Sequence, residues 1–166
     1  MMKNLAKQIE VVSNVAIIAV AVLLGVVLVK SYLFSGKPDS YRGIAAGTKI
    51  EVRDVDWAKS NHTVVLALQK GCHFCTESAP FYQRLVSQAS QRGTRIIAIL
   101  PNEIEASREY LSALNVRISE IRQMPLNALK VGGTPTVILV DDKGVVVRSW
   151  VGKLPPNDEA EVLSML

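Results

Sequence analysis

The feature that most constrains this chain is a short apolar run that leads almost directly into a pair of cysteines. The run covers residues 63–68 and is rich in β-branched side chains, which is typical of a strand buried on both faces. The pair is Cys72 and Cys75, and from Phe74 onward apolar side chains recur at helical spacing. The cysteines therefore lie at the junction between a predicted buried strand and a predicted helix.

Further along, the sequence continues to alternate between apolar runs and helical patterns. The helix after the cysteines is predicted to end at Gly93, and Asn157 is a candidate cap for the last helix. The other predicted elements are a strand over 95–100, a helix over 103–114, a strand near 116–121, a short helix over 126–130, strands over 136–140 and 145–151 around a turn at 141–144, and a helix over 158–166. This order predicts an α/β domain with a mixed sheet that ends in an antiparallel hairpin.

The chain has only two cysteines, and they are three positions apart. A disulfide between them would close almost no loop, so a purely structural bridge would add little stability. A zinc site needs about four ligands, and only His62 and His73 could join the cysteines. Redox chemistry is therefore the favoured interpretation, with no metal and no cofactor expected.

The first third of the chain contains a long apolar segment. Residues 15–29 carry no polar side chain, and the apolar character extends over about 12–34, enough for a helix to cross a hydrocarbon core of about 30 Å. We predict a transmembrane helix there within an N-terminal segment 1–34, a linker over 35–46 and a folded domain over 47–166. The alternative is a cleaved signal peptide, but the nearest small-residue cleavage site, at 43–46, lies well beyond the apolar run.

The charges around this segment give little further guidance. Basic residues stand on both sides of it, so the positive-inside rule does not decide the topology. The net charge is a modest +4 with the basic residues scattered, which gives little support to nucleic-acid binding.

The position of the cysteines suggests distinct roles for them. Cys72 would lie at a helix N-terminus, where free N–H groups and the helix dipole favour a thiolate, the nucleophilic form. Cys75 would lie one turn further in, more buried and able to attack a mixed disulfide at Cys72. An imidazolium at His73 would stabilise the thiolate further. Phe74 could pack in the core or contact a substrate, with core packing favoured.

Two proline positions strengthen this interpretation. Pro80 interrupts the helical pattern after the cysteines, and Gly133-Thr134-Pro135 immediately precedes an apolar strand, where proline cannot donate a ladder hydrogen bond and a cis linkage costs little. Together with the cysteine pair, these residues resemble the thioredoxin superfamily over roughly residues 47–166. The predicted anchor and the extra helical segment before Gly133 are similar to its membrane-anchored TlpA/ResA-like, redoxin-type branch.

The resemblance implies a three-layer thioredoxin-like fold with a mixed central sheet. It also implies that Gly133, Thr134 and Pro135 form the substrate-binding loop, in which the backbone at Thr134 pairs with the substrate chain and Pro135 keeps the site open. The sequence departs from the family at two positions. Gly71 replaces a tryptophan before the first cysteine, and Leu66 occupies the position of a buried acid.

The function expected from these features is that of a membrane-anchored thiol–disulfide oxidoreductase. Its partners would be protein thiols and disulfides and a membrane redox partner, with the C-terminal domain outside the cytoplasm, on the periplasmic side, where disulfides persist. The sequence does not indicate whether the enzyme oxidises or reduces. One alternative is a redoxin-type thiol peroxidase, although Thr76 follows the pair rather than preceding it; another is a non-enzymatic, membrane-tethered assembly module.

Overall fold

The computed structural model describes Asn14, residues 17–26 and residues 43–166. The chain separates into two compact units, Met1–Pro38 and Asp39–Leu166. In the first unit, residues 17–26 form a helix, α1, whose large apolar side chains are exposed. No helix in the described part of the chain is both long and apolar enough to cross a membrane. The rest of the transmembrane helix predicted over about 12–34, and residues 35–42 of the predicted linker, lie outside the described residues.

The second unit is built on a five-stranded sheet with the order β3-β2-β1-β4-β5. The strands β1, β2 and β3 are parallel, whereas β4 runs antiparallel to β1 and β5 antiparallel to β4. This confirms the mixed sheet and the antiparallel hairpin predicted from the sequence. The strand bounds are β1 His62–Ala67, β2 Arg95–Leu100, β3 Glu120–Gln123, β4 Thr136–Asp141 and β5 Val146–Val151.

Four α-helices connect and flank these strands: α2 His73–Glu77, α3 Ala79–Arg92, α4 Ile104–Ala113 and α5 Pro156–Ser164. Two 3₁₀-helices, Trp57–Lys59 and Leu126–Leu129, lie in the connecting segments. Helix α3 ends at Gly93 as predicted, because Gly93 adopts a left-handed φ of 71° and its N–H bonds the carbonyl of Ala89.

Three predicted boundaries differ from the structure for local reasons. The helix after the cysteines is divided at Ser78, and Pro80 lies in the first turn of α3, where proline is tolerated. Val116 is buried as in a strand, but its N–H bonds Leu111 at the end of α4, so β3 begins only at Glu120. Helix α5 begins at Pro156 rather than at Asp158, with Pro155 and not Asn157 as its cap.

Both faces of the sheet are covered, which gives the predicted three layers. Strand β1 is central, and its residues from Thr63 to Ala67 are all buried, as expected of a strand covered on both sides. One face packs against α3, α4 and α5. The other packs against residues 44–57 and 124–131, so its cover among the described residues consists of loops and 3₁₀-helices rather than α-helices.

The packed part of the second unit begins before residue 47. The side chain of Ile44 is buried, and its carbonyl accepts a hydrogen bond of 2.8 Å from the Ser149 hydroxyl. Lys49 forms an isolated antiparallel bridge with Val145. Residues 44–46 of the predicted linker therefore belong to the folded domain.

Candidate functional site

Cys72 lies where the central strand passes into helix α2. A tight turn, with a hydrogen bond of 3.1 Å from the Cys72 N–H to the carbonyl of Gln69, brings the chain from β1 to the start of the helix. Cys72 is the N-cap residue of α2, and its Sγ accepts a hydrogen bond of 3.4 Å from the N–H of Cys75. The helix start thus presents backbone donors to this sulfur, as predicted.

The environment of Cys72 favours its thiolate. Partial burial would raise the pKa of Cys72, but hydrogen bonds with the Thr134 and Cys75 side chains and with the backbone N–H groups of Cys75 and Phe74 outweigh it and lower the pKa. The side chain is half-buried, so a reaction partner can still reach it. Cys72 is therefore suited to be the attacking sulfur.

Cys75 lies in a contrasting environment one turn further along. It is fully buried, on the side of α2 that faces the core. Both cysteines are free thiols in the structure. Burial, with a further contribution from Cys72, raises the pKa of Cys75 to about 12. The two sulfurs therefore differ in the sense expected of an attacking and a resolving cysteine.

The loop at Gly133-Thr134-Pro135 lies against Cys72, as the resemblance implied. The Thr134–Pro135 peptide bond is cis, and the Cys72 thiol donates a hydrogen bond of 3.4 Å to the Thr134 carbonyl. The Gly133 carbonyl accepts a bond of 2.7 Å from the Thr136 hydroxyl, and the Pro135 carbonyl accepts one of 2.7 Å from the Gly152 N–H. Two segments distant in sequence are thereby joined at Cys72.

His73 interacts with the carboxylate of Glu77. Its Nε2 lies 3.1 Å from Glu77 Oε1, and its side chain is 76% exposed. Glu77 also accepts a hydrogen bond of 3.0 Å from Lys153 Nζ, so it links α2 to the segment after β5. This bond to Lys153 is the main cause of the lowered pKa of Glu77. Modulation of the Cys72 pKa by His73 remains a prediction, because the groups that lower that pKa are Thr134, Cys75 and Phe74.

The side chain of Phe74 is 47% exposed, so the core-packing role favoured from the sequence is not what the structure shows. Its ring is tilted against that of His73, with the centroids 5.7 Å apart. The reason is the position of Phe74 on the outer side of a five-residue helix, with Cys75 as the buried residue of that helix. An exposed aromatic ring therefore lies within two residues of Cys72.

The structure shows the surroundings of the two residues at which the sequence departs from the thioredoxin pattern. Gly71 has a φ of 83°, a left-handed conformation that side chains other than glycine rarely adopt. Leu66 is fully buried in the same core cluster as Cys75. The position of a buried acid is thus filled by an apolar side chain.

Sequence reasoning missed several residues around the site. Lys153 and Gly152 were not identified, because a lone lysine or glycine after a strand gives no functional signal. Tyr82 and Tyr110 were not identified as site residues either, although both lie in or against the core cluster that contains Cys75. Within the described residues, no group of three or more histidine, cysteine, aspartate or glutamate side chains is arranged to hold a metal ion.

Similarity to solved structures identifies the fold. A Chlorobium tepidum protein assigned to the DsbE class of thiol:disulfide interchange proteins matches with a TM-score of 0.57 and 19% identity, over 74% of this chain and 96% of that one. The thioredoxin domain of a thiol-disulfide oxidoreductase from Bacteroides vulgatus matches with a TM-score of 0.56 and 16% identity, over 74% and 97%. The chain has a thioredoxin-like fold.

A third structure with this thioredoxin-like fold is a cysteine-to-serine mutant of peroxiredoxin Q from Xanthomonas campestris, with a TM-score of 0.50 and 14% identity, over 63% of this chain and 77% of that one. At these identities the likeness concerns the fold alone. No protein-family model matches the sequence, and no curated protein is significantly similar to it.

Proposed function

We propose that this protein is a membrane-anchored thiol–disulfide oxidoreductase that exchanges disulfides with extracytoplasmic protein substrates. The observation that carries the proposal is the contrast between the two sulfurs. Cys72 is half-buried at a helix N-terminus with a lowered pKa, whereas Cys75 is buried with a pKa raised to about 12. A structural disulfide would need no such difference, but an attacking and a resolving thiol do.

The reaction follows from these positions. In the reducing direction, the Cys72 thiolate attacks a substrate disulfide, forms a mixed disulfide and releases one substrate sulfur as a thiolate. Cys75 then loses its proton and attacks Cys72 Sγ, which forms the Cys72–Cys75 disulfide and releases the second substrate thiolate. Both substrate sulfurs end as thiols after protonation. The oxidising direction is the same sequence reversed.

The surface around Cys72 supports a protein substrate. The exposed ring of Phe74 lies two residues from Cys72, and the Thr134 carbonyl lies 3.4 Å from the Cys72 sulfur. An exposed aromatic ring and a backbone loop next to the sulfur suit an extended segment of polypeptide around a cysteine.

The membrane anchor is supported by the composition of the N-terminal segment and by α1. Each described residue from Ile17 to Val26 is apolar or glycine and exposed, and such a surface is unfavourable in water over a whole helix. The apolar run of the sequence continues on both sides of α1. We place the C-terminal domain outside the cytoplasm because disulfide exchange with exported proteins takes place there.

The proposal is tested by trapping. Cys75→Ala in the full-length protein removes the resolving thiol, so mixed disulfides between Cys72 and substrate proteins should accumulate in membranes. They should disappear on reduction and identify the substrates by mass spectrometry. The matched control is the Cys72→Ala, Cys75→Ala double variant, which should trap nothing. Equal recovery of partners with both variants would contradict exchange through Cys72.

Peroxide consumption and a second double variant distinguish the two alternatives. In a thiol peroxidase, Cys72 would consume peroxide and trap no protein; the Thr76 hydroxyl does not support this, because it donates to the Cys72 carbonyl and not to Sγ. In a non-enzymatic assembly module, the Cys72→Ser, Cys75→Ser double variant would keep its function in the cell. The reduction potential of the Cys72–Cys75 pair then gives the direction of exchange. A value of about −270 mV would make the protein a reductant, and one of about −120 mV a strong oxidant.

A further inference from the structure

Helix α2, which begins directly after Cys72, is held in place by few contacts. It has five residues, one of them buried, and a helix of this length is not stable without contacts to its surroundings. Among the described residues, two polar links made by side chains join the segment 72–77 to the substrate loop and to the segment after β5. One is the contact of Cys72 Sγ with Thr134, and the other is the hydrogen bond from Lys153 Nζ to Glu77.

Lys153 lies between two residues that the fold holds firmly. The N–H of Gly152 donates a hydrogen bond of 2.7 Å to the Pro135 carbonyl in the substrate loop. On the other side, Leu154 is buried in the core cluster. Lys153 is therefore fixed to the substrate loop and to the core, and its bond to Glu77 attaches the last residue of α2 to both.

The ion pair itself is of ordinary geometry and partly exposed. Glu77 Oε2 accepts a hydrogen bond of 3.0 Å from Lys153 Nζ, and Glu77 Oε1 lies 3.1 Å from His73 Nε2. Because the side chains of Glu77 and Lys153 both remain partly exposed, the pair should add little to global stability. Its place in the fold is what distinguishes it, since it bridges the helix of the attacking sulfur and the support of the substrate loop.

The other link, between Cys72 and Thr134, weakens during the reaction. The Cys72 thiol donates a hydrogen bond of 3.4 Å to the Thr134 carbonyl, and the Cys72 thiolate is stabilised by the Thr134 side chain. In a mixed disulfide, the same sulfur has neither a proton to donate nor a charge that attracts a donor. The bond between Lys153 and Glu77 involves no reacting atom, so it persists in that state.

We propose that Glu77, through its ion pair with Lys153, is a positioning residue that keeps α2 at a fixed separation from the substrate loop while a polypeptide is joined to Cys72 as a mixed disulfide. This rests on the proposed function and specifies how the site holds its substrate. A polypeptide that lies along Thr134 needs this separation, whereas a small disulfide that reaches only Cys72 does not. Loss of the pair should therefore slow the reaction with a peptide selectively.

The test compares two chromogenic mixed disulfides of nitrothiobenzoate, one with the central cysteine of an uncharged peptide and one with N-acetylcysteine amide. In each, the Cys72 thiolate attacks the cysteine sulfur, a new disulfide to Cys72 forms, and nitrothiobenzoate leaves as a coloured thiolate. The second-order rate constants are measured with the reduced full-length protein in detergent. The ratio of the peptide rate to the amide rate cancels any change that a variant causes in the intrinsic reactivity of Cys72.

Charge reversal is the sharpest perturbation of the pair. We expect Glu77→Lys and Lys153→Glu each to lower the ratio by about threefold to fivefold, the range of an exposed ion pair. The double variant with both changes has opposite charges again, so its ratio should return to that of the wild type. The matched control is Glu159→Lys, which disrupts an exposed pair with Arg84 that joins α3 to α5 and should leave the ratio unchanged.

The outcomes separate the inference from the function. Folded single variants with the wild-type ratio, or a folded double variant whose ratio stays as low as that of the single variants, would overturn the role of Glu77 and leave exchange intact. If Glu77→Lys does not fold, Glu77→Gln removes the charge with little change of shape and should lower the ratio in the same direction. A wild-type protein that releases no nitrothiobenzoate from either compound would overturn the proposed function itself.

Discussion

At the scale of single residues, the difference between Cys72 and Cys75 arises from a few specific contacts. At the start of α2, Cys72 Sγ accepts a hydrogen bond from the N–H of Cys75, and the Thr134 side chain also lowers the pKa of Cys72, whereas Cys75 is surrounded by apolar side chains. Because thiolate is the reactive form, these contacts determine which sulfur reacts first and at which pH.

This difference predicts the pH dependence of alkylation. In the reduced protein, iodoacetamide should modify Cys72 with a rate that rises with pH and reaches its midpoint below the pKa of an ordinary cysteine, since the pKa of Cys72 is lowered. Cys75 should stay unmodified until the pH approaches about 12 or the protein unfolds. Peptide mass spectrometry measures both sites, and a denatured sample is the control. Equal rates at the two sites in the folded protein would contradict the assignment of roles.

The pair itself could be predicted from the sequence, but the side-chain contacts around it could not. Spacing alone places Cys72 at a helix start, and the apolar run before it places that start at the end of a buried strand. In contrast, the exposure of Phe74 and the pairing of His73 with Glu77 depend on which side of a five-residue helix faces the core. A helix of that length has too few positions for its periodicity to indicate this.

At the scale of elements, the β4–β5 hairpin supports the substrate loop. Strand β4 begins directly after Pro135, and the Gly152 N–H at the end of β5 bonds the Pro135 carbonyl. The turn between the strands is held by Asp141, whose Oδ1 accepts hydrogen bonds of 2.9 Å and 2.8 Å from the N–H groups of Lys143 and Val145. These two hydrogen bonds are the main causes of the lowered pKa of Asp141.

Gly144 in this turn should tolerate no side chain. Its φ is 79°, and an added Cβ would lie 2.7 Å from Trp57 Nε1. Gly144→Ala should therefore lower the free energy of unfolding by about 1 kcal/mol for the left-handed backbone and by about 2 kcal/mol more for the clash. Urea denaturation of the variant and the wild type measures the sum of these two losses in the free energy of unfolding.

Gly47→Ala is the control for Gly144→Ala. Gly47 has a similar φ of 85° but open space around its Cβ position, so only the backbone cost should appear. Equal losses in the two variants would show that the Trp57 contact does not constrain the turn.

The order of elements was predictable because it follows from the alternation of apolar runs, but the starts of β3 and α5 were not. Val116 and Ile118 are buried between α4 and β3 without belonging to a strand, so an apolar pattern there resembles one. Pro156 begins α5 because proline fits a first helical turn, which outweighs the capping preference of Asn157.

At the scale of the whole molecule, the chain joins a thioredoxin-like domain to an apolar N-terminal segment. If that segment spans the membrane, a protease added to spheroplasts should digest the C-terminal domain of the intact protein, while a tag at the N-terminus stays protected. A protein with residues 1–42 removed and carried by a cleavable signal peptide should be released on osmotic shock. Protection of the C-terminal domain in spheroplasts would contradict the proposed orientation.

The central claim is that Cys72 and Cys75 form one reversible redox pair. The most direct measurement is the mass of the alkylated full-length protein after equilibration in buffers of varied glutathione ratio. We predict a single two-electron transition in which both cysteines become protected from alkylation together, at a potential that gives the direction of exchange. A protein whose Cys72 stably accumulates glutathione while Cys75 remains a free thiol would contradict the account.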